Sequence, residues 1–170
     1  HGGDDCHRRA GKDRILHRLK TPFDAFARKI YSVKIALCGQ QLCQQNAAAE
    51  GVSHRVRFQK GDAAHLAFPD ETFEAAVSNF VFHEVRTQPD KREVVREALR
   101  VVKKGGCFAF QDLFEKESLY GDMTDFLSQL RQAGVQELHY IPHVERQGFI
   151  PRYVQAPWML SDVGLLYGRK

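Results

Sequence analysis

The pattern of polar and apolar positions turns on Arg55–Val85, RVRFQKGDAAHLAFPDETFEAAVSNFVFHEV. Arg55–Gln59 alternates with period two, which predicts a strand with one buried face. Gly61-Asp62 breaks that pattern, and Pro69-Asp70 punctuates the loop that follows. Phe73–Phe82 is a run of mostly apolar, β-tolerant residues with few charges, which predicts a strand buried on both faces. Asp62 and Asn79 then sit at the ends of two neighbouring strands, and His83 and Glu84 open a helix beyond the second.

The same reading extends to the rest of the chain. Ile15, Leu19, Phe23, Phe26 and Ile30 recur at helical spacing, and with Pro22 near its start a helix is predicted over 21–31. Ser32–Leu37 is a short strand, and Gln40–Glu50 a helix closed by Gly51. Val94, Val95, Ala98, Leu99 and Val102 make one apolar stripe on a helix over 89–103, with Pro89 and Asp90 at its start and Lys103, Lys104 and Gly105 at its end. Cys107–Leu113 reads as a buried strand and Met123–Ala133 as an amphipathic helix ending at Gly134. The tail is strand-like at both ends and broken by Pro142, Pro151 and Pro157, which predicts two strands joined by a long loop. Strands alternating with helices in this order predict a three-layer α/β domain.

Composition narrows the class. A chain of 170 residues with 43% hydrophobic content supports one domain with a real core. Residues 1–20 carry six Lys or Arg against three Asp. They read as a charged lead-in with the make-up of a disordered segment, which leaves 21–170 as the domain. No apolar run approaches the roughly 18 residues of a membrane span, so a cytoplasmic protein is expected. A net charge of +4, scattered among acidic residues, gives no basic arm for nucleic acid. Cys6, Cys38, Cys43 and Cys107 show no zinc spacing and fit a reducing compartment as isolated thiols.

Open parallel sheets bind ligands at the carboxyl ends of their strands, which draws attention to Asp62 and Asn79. There GDAAHLAFPDETFEAAVSN resembles the segment "GDA, Leu-x-Phe-Pro-Asp, Phe-[DE]" of class I S-adenosylmethionine-dependent methyltransferases, in particular their small-molecule and quinone-type branch. The resemblance covers roughly Ser32–Lys170. It implies a Rossmann-like, mostly parallel seven-stranded sheet with an antiparallel pair at its C-terminal end. It further implies S-adenosylmethionine as cofactor, a small-molecule or lipid-like acceptor, and room for a homo-oligomer.

The family's glycine-rich turn, an acidic residue and Gly-x-Gly-x-Gly after the first strand, has no counterpart here. Gly2-Gly3 and Gly11 lie in a charged, strandless context and Gly39 stands alone. Ala36 occupies the place of the ribose-binding acid. Losing a bidentate acceptor that faces buried hydroxyls costs about 2–4 kcal/mol, roughly ten- to a thousandfold in affinity. The expectation is an incomplete domain whose central first strand is missing or replaced, as in a truncated, mis-spliced or frame-shifted product. A non-catalytic remnant that acts as a binding or dimerisation partner is the alternative. A nicotinamide-dependent dehydrogenase needs a glycine turn too and gains nothing.

By the resemblance, Asp62 accepts from the adenine amine, the Ala63 amide meets a ring nitrogen, and Asn79 completes the cofactor side. An ordinary turn aspartate after Gly61 is the plainer reading of Asp62. His83 is the candidate base for methyl transfer, or else a histidine satisfied at a helix start. Phe80, Phe82 and Glu84 are candidates for the acceptor pocket. The family's base-modifying members carry prolines after this strand, and Ser78-Asn79-Phe80-Val81 carries none, which disfavours nucleic acid. His139 and His143 share a face if their segment is extended, and Asp112 ends a strand, but no third ligand completes a metal site. Tyr140, Tyr153 and Trp158 read as core or pocket lining.

Overall fold

A computed structural model describes residues 30–34, 40–148 and 161–170. The described residues divide into two compact units, one of 30–32 and 40–59, the other of 33–34, 60–148 and 161–170. Two strands, β1 (Ile30–Lys34) and β2 (Val56–Lys60), pair in a two-stranded sheet, with α1 (Gln40–Ala49) between them in sequence. Cys43 and Ala47, one helical turn apart, form the buried stripe of α1. The helix stops where Gly51 takes φ +68°, so that the amides of Gly51 and Val52 reach back to the carbonyls of Ala48 and Ala47.

The second unit is built on a four-stranded sheet in the order β3-β4-β6-β5: β3 (Phe73–Asn79), β4 (Val102–Asp112), β5 (Glu137–Ile141) and β6 (Gly164–Arg169). β3 and β4 run parallel, with Asn79 opposite Gln111; β6 is antiparallel to both β4 and β5. Three helices connect them: α2 (Lys91–Arg100), the single turn α3 (Glu117–Tyr120) and α4 (Met123–Gln132). Asp90 and Asp122 cap α2 and α4 by accepting from the amides two residues on. The apolar stripe of α2 (Val94, Val95, Ala98 and Leu99) meets Phe108 and Phe110 of β4, Phe126 and Leu130 of α4, and Leu166 of β6 in one core. α2 and α4 also touch at their surface, where Arg96 reaches Gln129 and lies over the Phe126 ring.

Several boundaries differ from the sequence expectation. β3 ends at Asn79 rather than Phe82, because Phe80 adopts φ +53° and its amide donates to Gln111 across the sheet. β3 is also not buried on both faces: Val77 is 67% exposed. His83 and Glu84 do not open a helix; Phe82–Glu84 is a single 3-10 turn, and α2 starts only at Lys91. At its far end α2 stops at Arg100. Lys103, Lys104 and Gly105 belong to β4, not to the helix end, and β4 starts at Val102 instead of Cys107. The pairing of Phe73 with Val102 draws the chain into the sheet at once, and Gly105 at φ +74° sits in the bulge before Ala75 meets Cys107. The tail does form two antiparallel strands. The strand read as Ser32–Leu37 is described over Ile30–Lys34, so the last two residues of the helix expected over 21–31 are strand; the rest of that helix and Ala36 lie outside the described residues. Among the described residues there are six strands, and none carries a glycine-rich turn between β1 and β3.

Candidate functional site

The parallel pairing of β3 with β4 brings Asn79 and Asp112 to one end of the sheet. Asp62 lies two residues beyond the end of β2, in a tight turn where the His65 amide donates to its carbonyl. Its Oδ1 accepts from the Ala64 amide at 2.9 Å and from the Thr87 hydroxyl at 2.9 Å. The Ala64 bond and then the Thr87 bond hold the Asp62 carboxyl below the usual carboxylate range. Among the described residues neither Asp62 Oδ2 nor the Ala63 amide has a hydrogen-bond partner. Among the described residues an ionised acceptor and, one residue on, a backbone donor therefore have open valences.

The loop from Gly61 to Thr72 is held from α2. All five donors of the Arg100 guanidinium are used: two on Glu97, one each on the carbonyls of Phe68 and Leu66, and one on Asp70. Glu97 also accepts from the Leu66 amide at 2.7 Å. These bonds keep Glu97 below the usual carboxylate range, the Arg100 contact being the larger cause, and raise Arg100.

Asp112 is fully buried at the end of β4. Its Oδ2 accepts from the Phe82 amide at 2.8 Å; its Oδ1 takes His83 Nδ1 at 2.7 Å and the Leu113 amide at 2.8 Å. The Tyr120 hydroxyl is buried without an aligned hydrogen bond, and burial together with the Asp112 charge pushes its pKa up. His83 is 19% exposed in its side chain, and its Nε2 lies 3.3 Å from Glu84. Both imidazole nitrogens thus face carboxylates. The Phe80 ring meets that of His83 edge-on at 6.3 Å.

Of the residues singled out in the sequence, Asp62 and Ala63 stand together, and Asn79, Phe80, His83 and Glu84 gather near the ends of β3 and β4. Asn79 is exposed. Phe82 does not line a surface: it is 3% exposed and packs edge-on against Phe110 in the core. A recess of about 510 Å³ opens beyond β4, lined by Phe114, Glu115, Met123, Leu127 and Tyr140 among others; Phe80, Phe82 and Glu84 are not part of it. His139 and His143 share no face, since β5 ends at Ile141. His139 stacks on Tyr167 and meets Glu137, whereas His143, at φ +48°, lies between Glu115 and Glu145. Among the described residues no cluster of three His, Cys, Asp or Glu could hold a metal. Tyr153 and Trp158 lie outside the described residues. The sequence reading missed Thr87, Tyr120 and Arg100. Each acts through residues some 8–34 positions away, so periodicity carried no sign of them.

A mixed sheet with parallel β3-β4 and an antiparallel C-terminal pair is a Rossmann-like methyltransferase fold. The methyltransferase domain family matches residues 10–110, well over half of the chain, and the chain belongs to it. A sterol 24-C-methyltransferase of Aspergillus fumigatus is 26% identical over 129 residues, which cover 63% of this chain and 33% of that protein. The crystal structure of the 4+2 cyclase SpnF is similar with a TM-score of 0.59 at 22% identity, covering 88% of this chain and 70% of that one. Geranyl diphosphate methyltransferase in complex with SAM is similar with a TM-score of 0.55 at 11% identity, covering 83% and 68%. These two structural likenesses show the fold alone. The chain spans about a third of the length of the curated relatives it matches. Among the described residues no helix is long and apolar enough to cross a membrane.

Proposed function

We propose that this chain carries the adenine side of an S-adenosylmethionine site and belongs to an enzyme that methylates a small-molecule or lipid-like acceptor. The observation that carries the reading is the open pair at Asp62 Oδ2 and the Ala63 amide. Adenine offers an amine donor beside a ring-nitrogen acceptor, and this pair is its complement. When bound, S-adenosylmethionine supplies a methyl group on a sulfonium. Asp62, kept ionised by Ala64 and Thr87, accepts from the amine, and Asn79 borders the cofactor at the end of β3. His83 is the candidate base nearest the strand ends. Its Nε2 reaches a substrate proton only if it turns from Glu84, so alignment of acceptor and methyl carries much of the rate. The sterol 24-C-methyltransferase likeness supports a lipid-like acceptor.

A second reading has its own observation. The sequence carries no Gly-x-Gly-x-Gly turn, the element that lets the backbone approach the methionine end of the cofactor. In that reading the chain is a non-catalytic member of the family that acts as a binding or dimerisation partner. Ultraviolet cross-linking of labelled S-adenosylmethionine separates the two. Labelling of the wild-type chain that disappears in Asp62→Ala supports the cofactor site, and no labelling of either supports the second reading. Equal labelling of both removes Asp62 from the site.

A further inference from the structure

Thr87 lies outside every motif that the sequence displays, on an exposed turn between β3 and α2, yet among the described residues its hydroxyl is the one side-chain donor to Asp62. The turn that carries it is fastened from below. Buried Lys91 donates to the carbonyls of Val85 and Gln88, the latter at 2.7 Å, so the backbone on both sides of Thr87 is anchored to the first turn of α2. Val85, 2% exposed, holds the turn from the apolar side. Thr87 therefore reaches Asp62 from a fixed platform, 25 residues away in sequence.

We propose that Thr87 is a positioning residue of the adenine subsite and sets its preference for a 6-amino over a 6-oxo base. This rests on the reading of Asp62 given above. A carboxylate on a turn rotates readily about its last torsion, and one hydrogen bond leaves either oxygen able to face the ligand. Here two donors arriving from different elements, the Ala64 amide and the Thr87 hydroxyl, converge on the same oxygen. Oδ1 is thereby committed, and among the described residues Oδ2 keeps its lone pairs, one residue before the Ala63 amide. The Thr87 hydroxyl spends its proton on Asp62, so the carboxylate stays an acceptor. A 6-oxo base, such as hypoxanthine, turns an oxygen and a ring N–H toward this pair, which sets acceptor against acceptor and donor against donor. The lowered pKa of Asp62, to which Thr87 contributes, has the same sense: it removes the protonated form that could donate to such a base.

The test uses the full chain with Thr87→Val, which keeps the shape and removes the hydroxyl, and Thr87→Ser, which restores it. Calorimetry with S-adenosylhomocysteine and with S-inosylhomocysteine reads the base preference. Thr87→Val is expected to weaken the adenosyl ligand on the order of tenfold and to leave the inosyl ligand unchanged, so that discrimination narrows; Thr87→Ser binds as wild type. Equal weakening of both ligands, or no weakening, overturns the specificity role. NMR titration of the Asp62 carboxyl needs no ligand: Thr87→Val raises its pKa if the hydroxyl holds the carboxylate, and an unmoved titration overturns the positioning. A wild-type chain that binds neither nucleoside overturns the adenine reading, and the specificity role with it, while the titration still decides what Thr87 does to Asp62.

Discussion

Two aspartates, one at the end of β4 and one in the turn after β2, have opposite hydrogen-bond patterns. Asp112, at the end of β4, is fully buried, and both its oxygens are taken, by two amides and the His83 imidazole. Among the described residues Asp62 has one oxygen doubly occupied, while its other oxygen and the Ala63 amide have no hydrogen-bond partner. A saturated buried carboxylate organises the chain around it, here the turn after β3 and the start of the segment after β4. An ionised carboxylate with a spare oxygen has something left to bind. Asp112 organises the chain around it, whereas Asp62 keeps the valence that the proposed adenine contact would use.

The largest effect that bears on this contrast comes from Asp112→Ala. It strands the buried Phe82 amide, the part-buried Leu113 amide and one imidazole nitrogen, and a loss of about 3 kcal/mol in unfolding stability is expected by urea denaturation. A loss under half of that breaks the assignment of Asp112 as a structural centre. Asp62→Ala is the mirror case. The urea midpoint stays close to wild type, while affinity for S-adenosylhomocysteine falls on the order of tenfold or more in calorimetry. A large fall in the midpoint with unchanged affinity would exchange the roles of the two residues.

Arg100→Met follows. Five hydrogen bonds to the loop and to Glu97 are lost, but the guanidinium is about one-third exposed, so solvent recovers much of their value. About 1–2 kcal/mol is expected, together with faster amide exchange at Leu66. Arg100→Lys does not restore it, since an ammonium lacks the planar fork. The smallest effect is on pH dependence. Glu97 has its folded pKa below the ordinary value of 4.5, so its contribution is fully present above that value and is lost as pH falls through the lower folded value. Asp62 behaves in the same sense below its ordinary 3.8. Acid titration of stability below pH 4.5 is thus steeper in wild type than in Arg100→Met, and equal slopes would show that the Arg100–Glu97 pair is not the acid-sensitive contact.

Much of the fold was legible because the pattern is local. The α2 stripe, the helix stop at Gly51 and the turn at Gly61-Asp62 all follow from residues within a few positions of one another. The boundaries that moved were those decided across the sheet. Pairing of Phe73 with Val102 took residues from the predicted end of a helix and gave them to β4. The positive φ of Phe80 ended β3 three residues early. Phe82, a pocket candidate by its place in the chain, became a core ring once Phe110 came beneath it.

By itself the sequence determined which residues could form elements and that an acid and an amide stand together at Asp62 and Ala63, since both follow from adjacent residues and local periodicity. Only the tertiary structure decided what those groups are free to do. The donors that occupy one oxygen of Asp62 and both oxygens of Asp112 include Thr87, Phe82 and His83, 25, 30 and 29 residues away respectively. A hydrogen bond depends on distance and direction in space, and over such separations the chain encodes neither until the strands have paired.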